Sequence, residues 1–474
     1  MVINRILLYI NLNYINIEDK NTQKMKFNKN LKEGILYSNL ELKSNTHYVI
    51  SLNHDPKYSC QNESIIELLK SKYNQNVEVI NILSNLAPRE LTENIIVLNE
   101  KLCQDHMGDE KKFTYIDPRD FNNEIQNSSY INNLFDLLTS KQKKVEIISF
   151  LNSPELSYLE NDANINLLAP KSSLIGTLDD KILQRKMSIE LDIPVPEGFI
   201  IENKDDFLDT YLSKYVPYFG KEAYICLPQG QGGSGSDFIS SVEDYKNSKI
   251  YHGNKFLLLE KLNLKSSITS FGIIANENEN IILGITEMIM DGVNYQGNIP
   301  VKKKYINEIH HYTKKIANHL GKMGYVGSYN FDFMEGDKIY FTEINPRKGG
   351  STPEIMQTHK ITNPNALELL ELEYNAFIDH SFNTKTDNYQ IPMVPFGVKL
   401  AKVKKGYKSK SIDEPFIPES EIFQNGGIGI YDFIPNTKFL TDGKLARVVY
   451  VPNKPTSREA IVEKLDQQIE KILK

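Results

Sequence analysis

The sequence has few cysteines, no long apolar run and no strong charge of either sign. Its three cysteines, Cys60, Cys103 and Cys226, lie far apart among 474 residues and form neither a metal-binding pair nor a disulfide framework. A helix that spans a bilayer needs roughly 18–20 consecutive apolar residues, and no stretch approaches that length. These absences predict a soluble protein of the reducing cytoplasm without a membrane partner.

The net charge does not favour a protein that binds nucleic acid. The formal net charge is −6 and charged residues make up 24% of the sequence. Domains that bind nucleic acid usually carry a concentrated basic stripe. The densest lysine run, at 399–410, alternates with apolar residues as a strand does, and it is either solvated or faces a phosphate. We therefore expect no nucleic-acid partner.

The N-terminal residues briefly suggest a signal peptide. Residues 1–10 are apolar with one charge, but Asn11 and Asn13 interrupt the run and no small-residue cleavage site follows. A signal peptide is therefore not predicted. The length of the chain and its hydrophobic fraction of 40% predict two to four globular domains.

The order of the predicted elements divides the chain into three parts. In residues 1–170 short β-rich runs alternate with helical segments, which predicts a parallel α/β domain. Residues 171–380 are rich in strands and contain one long helix, at 303–323. After a polar linker, residues 390–474 predict a small strand-rich C-terminal module that ends in an amphipathic helix. The predicted fold class is α/β followed by α+β.

The most informative segment is a predicted hairpin at residues 330–347. A two-residue turn at Gly336 and Asp337 would pair Asp332 with Phe341 and Asn330 with Glu343. Because side chains alternate along strands, Asn330, Asp332, Phe341, Glu343 and Asn345 would then share one face. Such oxygen donors suit Mg²⁺, which shares its ligands with nucleotide phosphates. Arg347 would continue this face and contact a phosphate.

A glycine-rich loop lies about 100 residues before this hairpin. Residues 226–236 read Cys-Leu-Pro-Gln-Gly-Gln-Gly-Gly-Ser-Gly-Ser. Glycines let backbone amides approach phosphate oxygens closely, and small hydroxyls add donors. The loop therefore predicts a phosphate-binding segment, with a merely flexible loop as the alternative.

Taken in order, these features resemble the ATP-grasp superfamily. The resemblance covers roughly residues 170–375 and rests on Lys181, the glycine loop, the run Leu258–Leu262, Asp332 and the Glu-Ile-Asn-Pro-Arg string at 343–347. It implies a pre-ATP-grasp α/β domain followed by a two-subdomain ATP-grasp fold. ATP would lie between the two subdomains, with the glycine loop as a lid.

The resemblance also implies roles for single residues. ATP contacts are implied for Lys181, Gln229, Gly230, Gly232, Gly233, Ser234, Gly235, Ser236, Glu260, Lys261 and Leu262. Magnesium ligands are implied at Asp332, Glu343 and Asn345, with Mn²⁺ as an alternative cation. Arg347 resembles the phosphate-binding arginine that acts in catalysis. The acceptor substrate would lie near Asn330, Gly349, Gly350, Ser351 and Thr352, and Tyr295 or the stretch 291–298 is a further guess.

Two positions depart from the family pattern. Leu227 stands where a second phosphate-binding lysine is usual, and Ser267 where an acidic residue commonly binds ribose. Lys302, Lys303 or Lys304 could supply the missing charge. A member that binds the nucleotide without catalysis therefore stays open as an alternative.

Within the superfamily the chain most resembles the pheganomycin-type peptide ligases. That resemblance implies an ADP-forming ligase that joins a small carboxylate or amino acid to the amine of an amino acid or peptide through an acyl-phosphate. A phosphotransferase on the same fold is the alternative enzyme. The family commonly forms homodimers, and the sequence leaves the oligomeric state of this chain open.

Overall fold

The structure is a computed structural model. It describes residues 15–17, 25–30, 35–38, 40, 42–53, 62–84, 94–98, 118–230, 235–292, 294–386, 389, 391, 394–402, 419–431 and 444–473. None of the helices in these ranges is long and apolar enough to cross a membrane.

The strands are numbered β1 to β20 in chain order. Their bounds are Ile15–Ile17, Met25–Asn30, Ile35–Ser38, Thr46–Asn53, Asn76–Leu83, Ile95–Val97, Val145–Ser149, Ile165–Leu168, Gly198–Ile201, Ala223–Cys226, Ser236–Ile239, Phe256–Glu260, Ser266–Ile274, Asn280–Asp291, Asn294–Pro300, Gly327–Glu335, Ile339–Asn345, Gly397–Lys402, Gly427–Tyr431 and Lys444–Val451.

The α-helices are numbered α1 to α14 in the same way. Their bounds are Asn62–Tyr73, Pro118–Asn127, Ser129–Lys141, Ser157–Glu160, Ser172–Leu178, Lys181–Glu190, Phe207–Asp209, Val216–Phe219, Val242–Asn247, Ile306–Lys322, Thr352–Thr362, Leu369–Asp379, Glu419–Asn425 and Arg458–Leu473. A π-helical turn at Thr210–Tyr215 joins α7 to α8, and 3-10 turns lie at Pro154–Leu156, Lys204–Asp206 and Lys303–Tyr305.

The first sheet confirms the parallel α/β fold predicted for the N-terminal part. Its strand order is β1-β2-β3-β6-β5-β4-β7-β8, and β6, β5, β4, β7 and β8 run parallel. All residues of β7 are buried, as expected for a parallel strand covered on both faces. The antiparallel strands β1 to β3 extend this sheet at one edge.

Two antiparallel sheets follow the first one. The second sheet has the order β11-β10-β12-β9, and its core contains an aromatic group around Phe207, Tyr211 and Phe256. The third sheet has the order β17-β16-β13-β14-β15-β18-β20-β19. Helix α10 covers one face of the third sheet, and its residues Ile309 and Ile316 are fully buried at helical spacing.

The C-terminal strands do not form a separate sheet. Strand β18 pairs with β15 at Gly297 and Asn298, and β20 and β19 follow in the same third sheet. Helix α14 packs against this extension through Ile461 and Leu465. The C-terminal module thus continues the sheet that precedes it, while the domain boundaries at 170, 380 and 390 stay a proposal.

A buried polar cluster at the amino ends of the parallel strands gives a testable pH dependence. His47 Nε2 lies 2.5 Å from Glu146 Oε2, and the Tyr73 hydroxyl donates to Glu146 Oε1 at 2.5 Å. Burial alone would raise the pKa of Glu146, but these two hydrogen bonds outweigh it and hold the pKa below the ordinary value of 4.5. The ionised carboxylate therefore stabilises the folded state.

The variant Glu146→Gln tests this cluster. A carboxylate with a lowered pKa contributes stability above its unfolded pKa of about 4.5, and the contribution disappears as the pH falls through the folded pKa. We expect the variant to lose about 1–3 kcal/mol of unfolding free energy at pH 7, and the difference to shrink between pH 5 and pH 3. Urea titrations across this range measure it, with the exposed Glu67→Gln as control. A difference that stays constant with pH contradicts the prediction.

Candidate active site

A cavity of about 400 Å³ lies between the second and third sheets. One side is formed by the second sheet, where Tyr224, Cys226, Leu257 and Leu259 border it. The other side is formed by strands β13 to β17 of the third sheet and by the loop that follows β17. Helix α6 lies beside both sheets, so the cavity has polar groups from three separate parts of the chain.

The hairpin of β16 and β17 differs in register from the prediction. The turn has three residues, 336–338, so Glu335 pairs with Ile339, and a bulge at Thr342 shifts the register by one more residue. Asp332 therefore lies opposite Glu343 and not opposite Phe341, while Asn330 lies opposite Asn345. The predicted pairing was wrong by two residues.

The predicted residues still share one polar face in the observed register, because side chains along a strand alternate between its two faces with a period of two. A total shift of two residues leaves Asn330, Asp332, Glu343 and Asn345 on one side, and all four border the cavity. Phe341 also borders the cavity, but it does not share this face. The bulge places it opposite Phe333, where the two rings meet edge to face in the core.

A chain of hydrogen bonds connects the polar face to Arg347. The Asn345 side chain donates to Asp332 Oδ2 at 2.9 Å, and the Arg347 guanidinium donates to Asn345 Oδ1 at 2.9 Å. Burial raises the pKa of Asp332 to about 7, and repulsion from Glu343 adds to this rise. Asp332 and Glu343 therefore form a close carboxylate pair, and the Arg347 guanidinium only partly offsets their repulsion at Asp332.

The donor set fits a divalent cation that also binds phosphate. The repulsion from Glu343 that helps to raise the pKa of Asp332 is relieved when a cation lies between the two carboxylates. Two carboxylates and the amide oxygen of Asn345 leave coordination positions for phosphate oxygens, as Mg²⁺ prefers. No group of three His, Cys, Asp or Glu side chains in the described part of the chain could hold a metal by itself. A protein-only metal site is therefore not present there.

Helix α6 brings a partly buried lysine to the carboxylates. Asp180 caps this helix by accepting hydrogen bonds from the amides of Ile182 and Leu183, which fixes Lys181 at its first turn. Lys181 Nζ lies 2.9 Å from Glu343 Oε1 and donates to the Gly230 carbonyl at 3.0 Å. Burial alone would lower the pKa of Lys181, but the Glu343 carboxylate outweighs it and raises the pKa. Lys181 is therefore a cation between the glycine loop and the carboxylates.

The opposite end of the cavity is more apolar. Val195, Pro196, Leu259 and Leu262 border it, and Glu260 at the end of β12 lies among them. Glu260 Oε1 accepts a hydrogen bond from the Glu197 amide at 2.7 Å, and the Glu260 amide donates to the Glu197 carbonyl at 2.8 Å. This end presents apolar surface beside backbone groups, which suits a flat heterocycle.

Arg347 is also held by the N-terminal domain. Its guanidinium lies 5.7 Å from the ring centroid of Phe150, which follows β7 at the carboxyl end of the parallel sheet. Ligands of open α/β sheets usually bind at this end. The N-terminal domain therefore contributes to the site from the expected edge.

The loop after β17 is fixed from two further strands. A Cβ on Gly349 would lie 2.4 Å from Asn330 Oδ1, and one on Gly350 would lie 2.7 Å from the Tyr295 hydroxyl. Only glycine fits these close approaches. The Gly350 carbonyl accepts from Arg447 of β20 at 2.7 Å. The C-terminal strands thus hold the loop that borders the cavity.

The buried ion pair of Arg447 and Glu354 is expected to contribute strongly to stability. Arg447 Nη2 lies 2.6 Å from Glu354 Oε1, and both side chains are almost fully buried. Arg447→Met leaves the Glu354 carboxylate buried without its cation, so we expect a loss of about 3–5 kcal/mol of unfolding free energy. Urea denaturation measures it. The double variant Arg447→Met, Glu354→Leu should recover most of that loss, and a double variant as unstable as the single one contradicts this assignment.

Not all predicted residues border the cavity. Lys181, Gly230, Gly235, Ser236, Glu260, Leu262, Asn330, Asp332, Glu343, Asn345, Arg347, Gly349, Gly350 and Ser351 do. Three others do not. Gln229 is exposed, Lys261 pairs with Glu222 at 2.6 Å, and Thr352 is buried and accepts from the Gly349 amide. Gly232, Gly233 and Ser234 lie outside the described residues.

The lysines suggested to replace the missing phosphate-binding lysine do not border the cavity. Lys302 and Lys304 lie 3.6 and 3.7 Å from Glu335, and no lysine of 302–304 borders the cavity. Leu227 does not border the cavity either. Side chains alternate along β10, so Cys226 faces the cavity and the next residue does not. Arg185, one helical turn after Lys181, does border the cavity and was missed. Its position at i+4 from Lys181 was a usable signal.

The geometry defines a nucleotide-sized cleft between two antiparallel sheets, with a lysine, a carboxylate pair and an arginine along it. Residues 179–351 match the family model of the ATP-grasp domain, so this part of the chain is an ATP-grasp domain.

Solved structures show the same fold over most of the chain. The N5-carboxyaminoimidazole ribonucleotide synthetase from Thermotoga maritima is similar at 16% identity with a TM-score of 0.54, over 90% of this chain and 99% of that chain. Biotin carboxylase from Campylobacter jejuni is similar at 11% identity with a TM-score of 0.61, over 88% and 89%. The biotin carboxylase domain of the 2-oxoglutarate carboxylase from Hydrogenobacter thermophilus, solved with MgADP and bicarbonate, is similar at 13% identity with a TM-score of 0.59, over 89% of each chain. At such identities the likeness shows the fold alone.

Proposed function

We propose that this protein is an ATP-dependent carboxylate–amine ligase that forms an amide through an acyl-phosphate. The observation that carries the proposal is the arrangement of Lys181, Asp332, Glu343 and Arg347 along one cavity of an ATP-grasp domain. The bound nucleotides of the similar biotin carboxylase domain support the same use of the cleft.

Each group has a role that its position supports. The adenine lies at the apolar end beside Glu260 and Leu262, and Lys181 binds the phosphates. Asp332, Glu343 and Asn345 would hold Mg²⁺, which would neutralise charge on the phosphate oxygens. Arg347 orients the substrate carboxylate and binds the transferred phosphate, because its guanidinium faces the same cavity.

The reaction needs positioning more than acid–base chemistry. A carboxylate oxygen attacks the γ-phosphorus, the bond to the β-phosphate oxygen breaks, and ADP leaves. An amine then attacks the acyl carbon, loses a proton to solvent, and expels phosphate. The partly buried cations Lys181 and Arg347 stabilise charge that develops in a site partly closed to water. The fixed loop 349–351 holds the acceptor near the acyl group.

A screen for phosphate release tests the proposal. Pairs of small carboxylates and amines, including amino acids and dipeptides, are incubated with the full chain and Mg²⁺-ATP, with Glu343→Ala as control. We expect release that requires both a carboxylate and an amine and is lost in the variant. Release that requires only a hydroxyl compound points to a phosphotransferase, and ATP binding without any release points to a non-catalytic protein.

Three finer assignments belong to the same proposal. The amine substrate is an amino acid or peptide, as in the pheganomycin-type ligases that the sequence resembles. The protein acts in the cytoplasm. A homodimer is the oligomeric state to test first, by light scattering.

A further inference from the structure

Strands β14 and β15 form a wall of the cavity that the proposed chemistry does not use. We define the β14–β15 wall by Met288, Met290, Tyr295 and Asn298, all of which border the cavity. Met288 lies opposite Asn298, and Met290 lies opposite Tyr295. The four side chains therefore form two neighbouring rows on one face of the third sheet.

The register places this wall on the same face of the third sheet as Asp332. Asp332 lies opposite Thr269 on β13, and Thr269 lies opposite Thr286 on β14, so the same face continues to the wall. Strands are about 4.8 Å apart, so Thr286 lies about 10 Å from Asp332, and Met288 and Met290 follow about 7 and 14 Å farther along β14. The Tyr295 hydroxyl also lies against Gly350 of the loop beside Arg347. An amino acid activated at Arg347 can therefore reach the wall at Tyr295 and extend its side chain along it.

The polar atoms of the wall hydrogen-bond to one another. The Tyr295 hydroxyl donates to Asn298 Oδ1, and Asn298 Nδ2 donates to Thr286 Oγ1 at 2.9 Å. Asn298 is 1% exposed, so these bonds are made inside the sheet. The surface that faces the cavity consists mainly of two thioethers and an aromatic ring.

The charged side chains that border the cavity lie elsewhere among the described residues. Lys181, Asp332, Glu343 and Arg347 lie at the phosphate end, and Arg185 and Glu260 lie at the apolar end beside Pro196 and Leu262. A charged group on the β14–β15 wall would lose water without gaining a partner there. Thioethers and aromatic rings instead form favourable contacts with apolar and aromatic groups.

We propose that the β14–β15 wall binds the side chain of the carboxylate substrate, and that this side chain is neutral and apolar. The proposal rests on the ligase function proposed above and names its substrate class. Leucine, methionine and phenylalanine fit it, whereas dicarboxylates, cationic amino acids and phosphorylated compounds do not.

Trapping with hydroxylamine tests this specificity without knowledge of the natural amine. The acyl-phosphate reacts with hydroxylamine to give a hydroxamate and phosphate, so each turnover yields one hydroxamate and one ADP. The full chain is assayed with Mg²⁺-ATP and L-leucine, L-methionine, L-phenylalanine, L-glutamate, L-lysine or L-phosphoserine. We expect kcat/KM for the first three to exceed that for the last three at least 10-fold.

Two variants connect this preference to the wall. Met290→Glu should lower kcat/KM for the apolar carboxylates at least 10-fold and improve L-lysine relative to them, while Met290→Leu should keep the wild-type order. Titration with Mg²⁺-ADP shows whether each variant still folds and binds nucleotide. If Met290→Glu does not, Met290→Ala replaces it and should shift the preference towards L-phenylalanine.

A binding measurement separates this inference from the proposed function. Thermal shifts with the same six compounds are recorded in the presence of Mg²⁺ and a non-hydrolysable ATP analogue. Binding of apolar carboxylates without hydroxamate supports the wall and contradicts the ligase function. Three outcomes overturn the inference. The protein prefers a charged compound in either assay, it responds to no apolar carboxylate in both assays, or the Met290 variants show the same substrate preference as each other.

Discussion

Glu343→Gln should abolish most ATP-dependent turnover while the protein stays folded. Glu343 is the residue that connects the two halves of the proposed site, because it lies opposite Asp332 and 2.9 Å from Lys181 Nζ. The amide keeps the shape of the side chain but removes the charge that would hold Mg²⁺ and pair with the lysine. We expect kcat to fall at least about 100-fold.

The magnesium dependence should change together with the rate. Phosphate release is measured against Mg²⁺ concentration for the wild type and the variant, and we expect the variant to need more Mg²⁺ for half-maximal rate. The charge-matched control is Glu277→Gln, which removes an exposed carboxylate from the turn between β13 and β14. If Glu343→Gln and Glu277→Gln behave alike, the assignment of the metal ligands is wrong.

Arg347→Met should slow the chemical step and leave nucleotide binding nearly intact. The guanidinium donates to Asn345 Oδ1 and lies on the Phe150 ring, so it is held on the far side of the proposed metal ligands from the apolar end. A cation in this position acts on the charge that develops during phosphoryl transfer. We expect kcat to fall by about 100- to 1000-fold, with the Kd for Mg²⁺-ADP changed less than about threefold.

Arg347→Lys distinguishes charge from geometry. Lysine keeps the charge but cannot make two parallel hydrogen bonds to a carboxylate or phosphate. We expect an intermediate kcat for this variant and no effect for Lys322→Met, which removes an exposed cation from α10. Steady-state phosphate release and calorimetric titration give kcat and Kd. A variant that loses Mg²⁺-ADP binding as strongly as turnover would place Arg347 in nucleotide binding instead.

The sequence predicts the polar face of the hairpin better than its register. The alternation of side chains placed Asn330, Asp332, Glu343 and Asn345 together, and this holds in the structure. The three-residue turn and the bulge at Thr342 have no distinct sequence signal, so the pairing was wrong by two residues. An even shift preserves the face, and an odd one would have reversed it.

Contacts between distant segments explain what the sequence could not predict. Arg447 contacts Gly350 and Glu354, more than 90 residues away in the chain. Strand β18 joins β15 through only two paired residues on each strand. Local patterns indicate that β18 and β20 are strands, but they do not indicate which sheet the strands extend. The apolar wall of β14 and β15 likewise depends on how the sheet faces the cavity.

The predicted function and the predicted site residues both rest on short motifs and on the order of these motifs in the chain. Lys181, the glycine loop and the hairpin were identified because few residue types suit phosphate and Mg²⁺. Arg185 borders the cavity and could be found only through its i+4 spacing from Lys181. Phe150 holds Arg347, and a phenylalanine after a strand is too common to be a signal. Their proximity to the site follows from the packing of α6 and the first sheet.

The transfer of oxygen from substrate to phosphate tests the central claim most directly. The carboxylate that gives turnover is labelled with ¹⁸O, and the phosphate released during a reaction with Mg²⁺-ATP is analysed by mass spectrometry. Activation through an acyl-phosphate predicts one ¹⁸O atom in each phosphate, because the carboxylate oxygen that attacks the γ-phosphorus leaves with it. Phosphate without ¹⁸O would contradict the account.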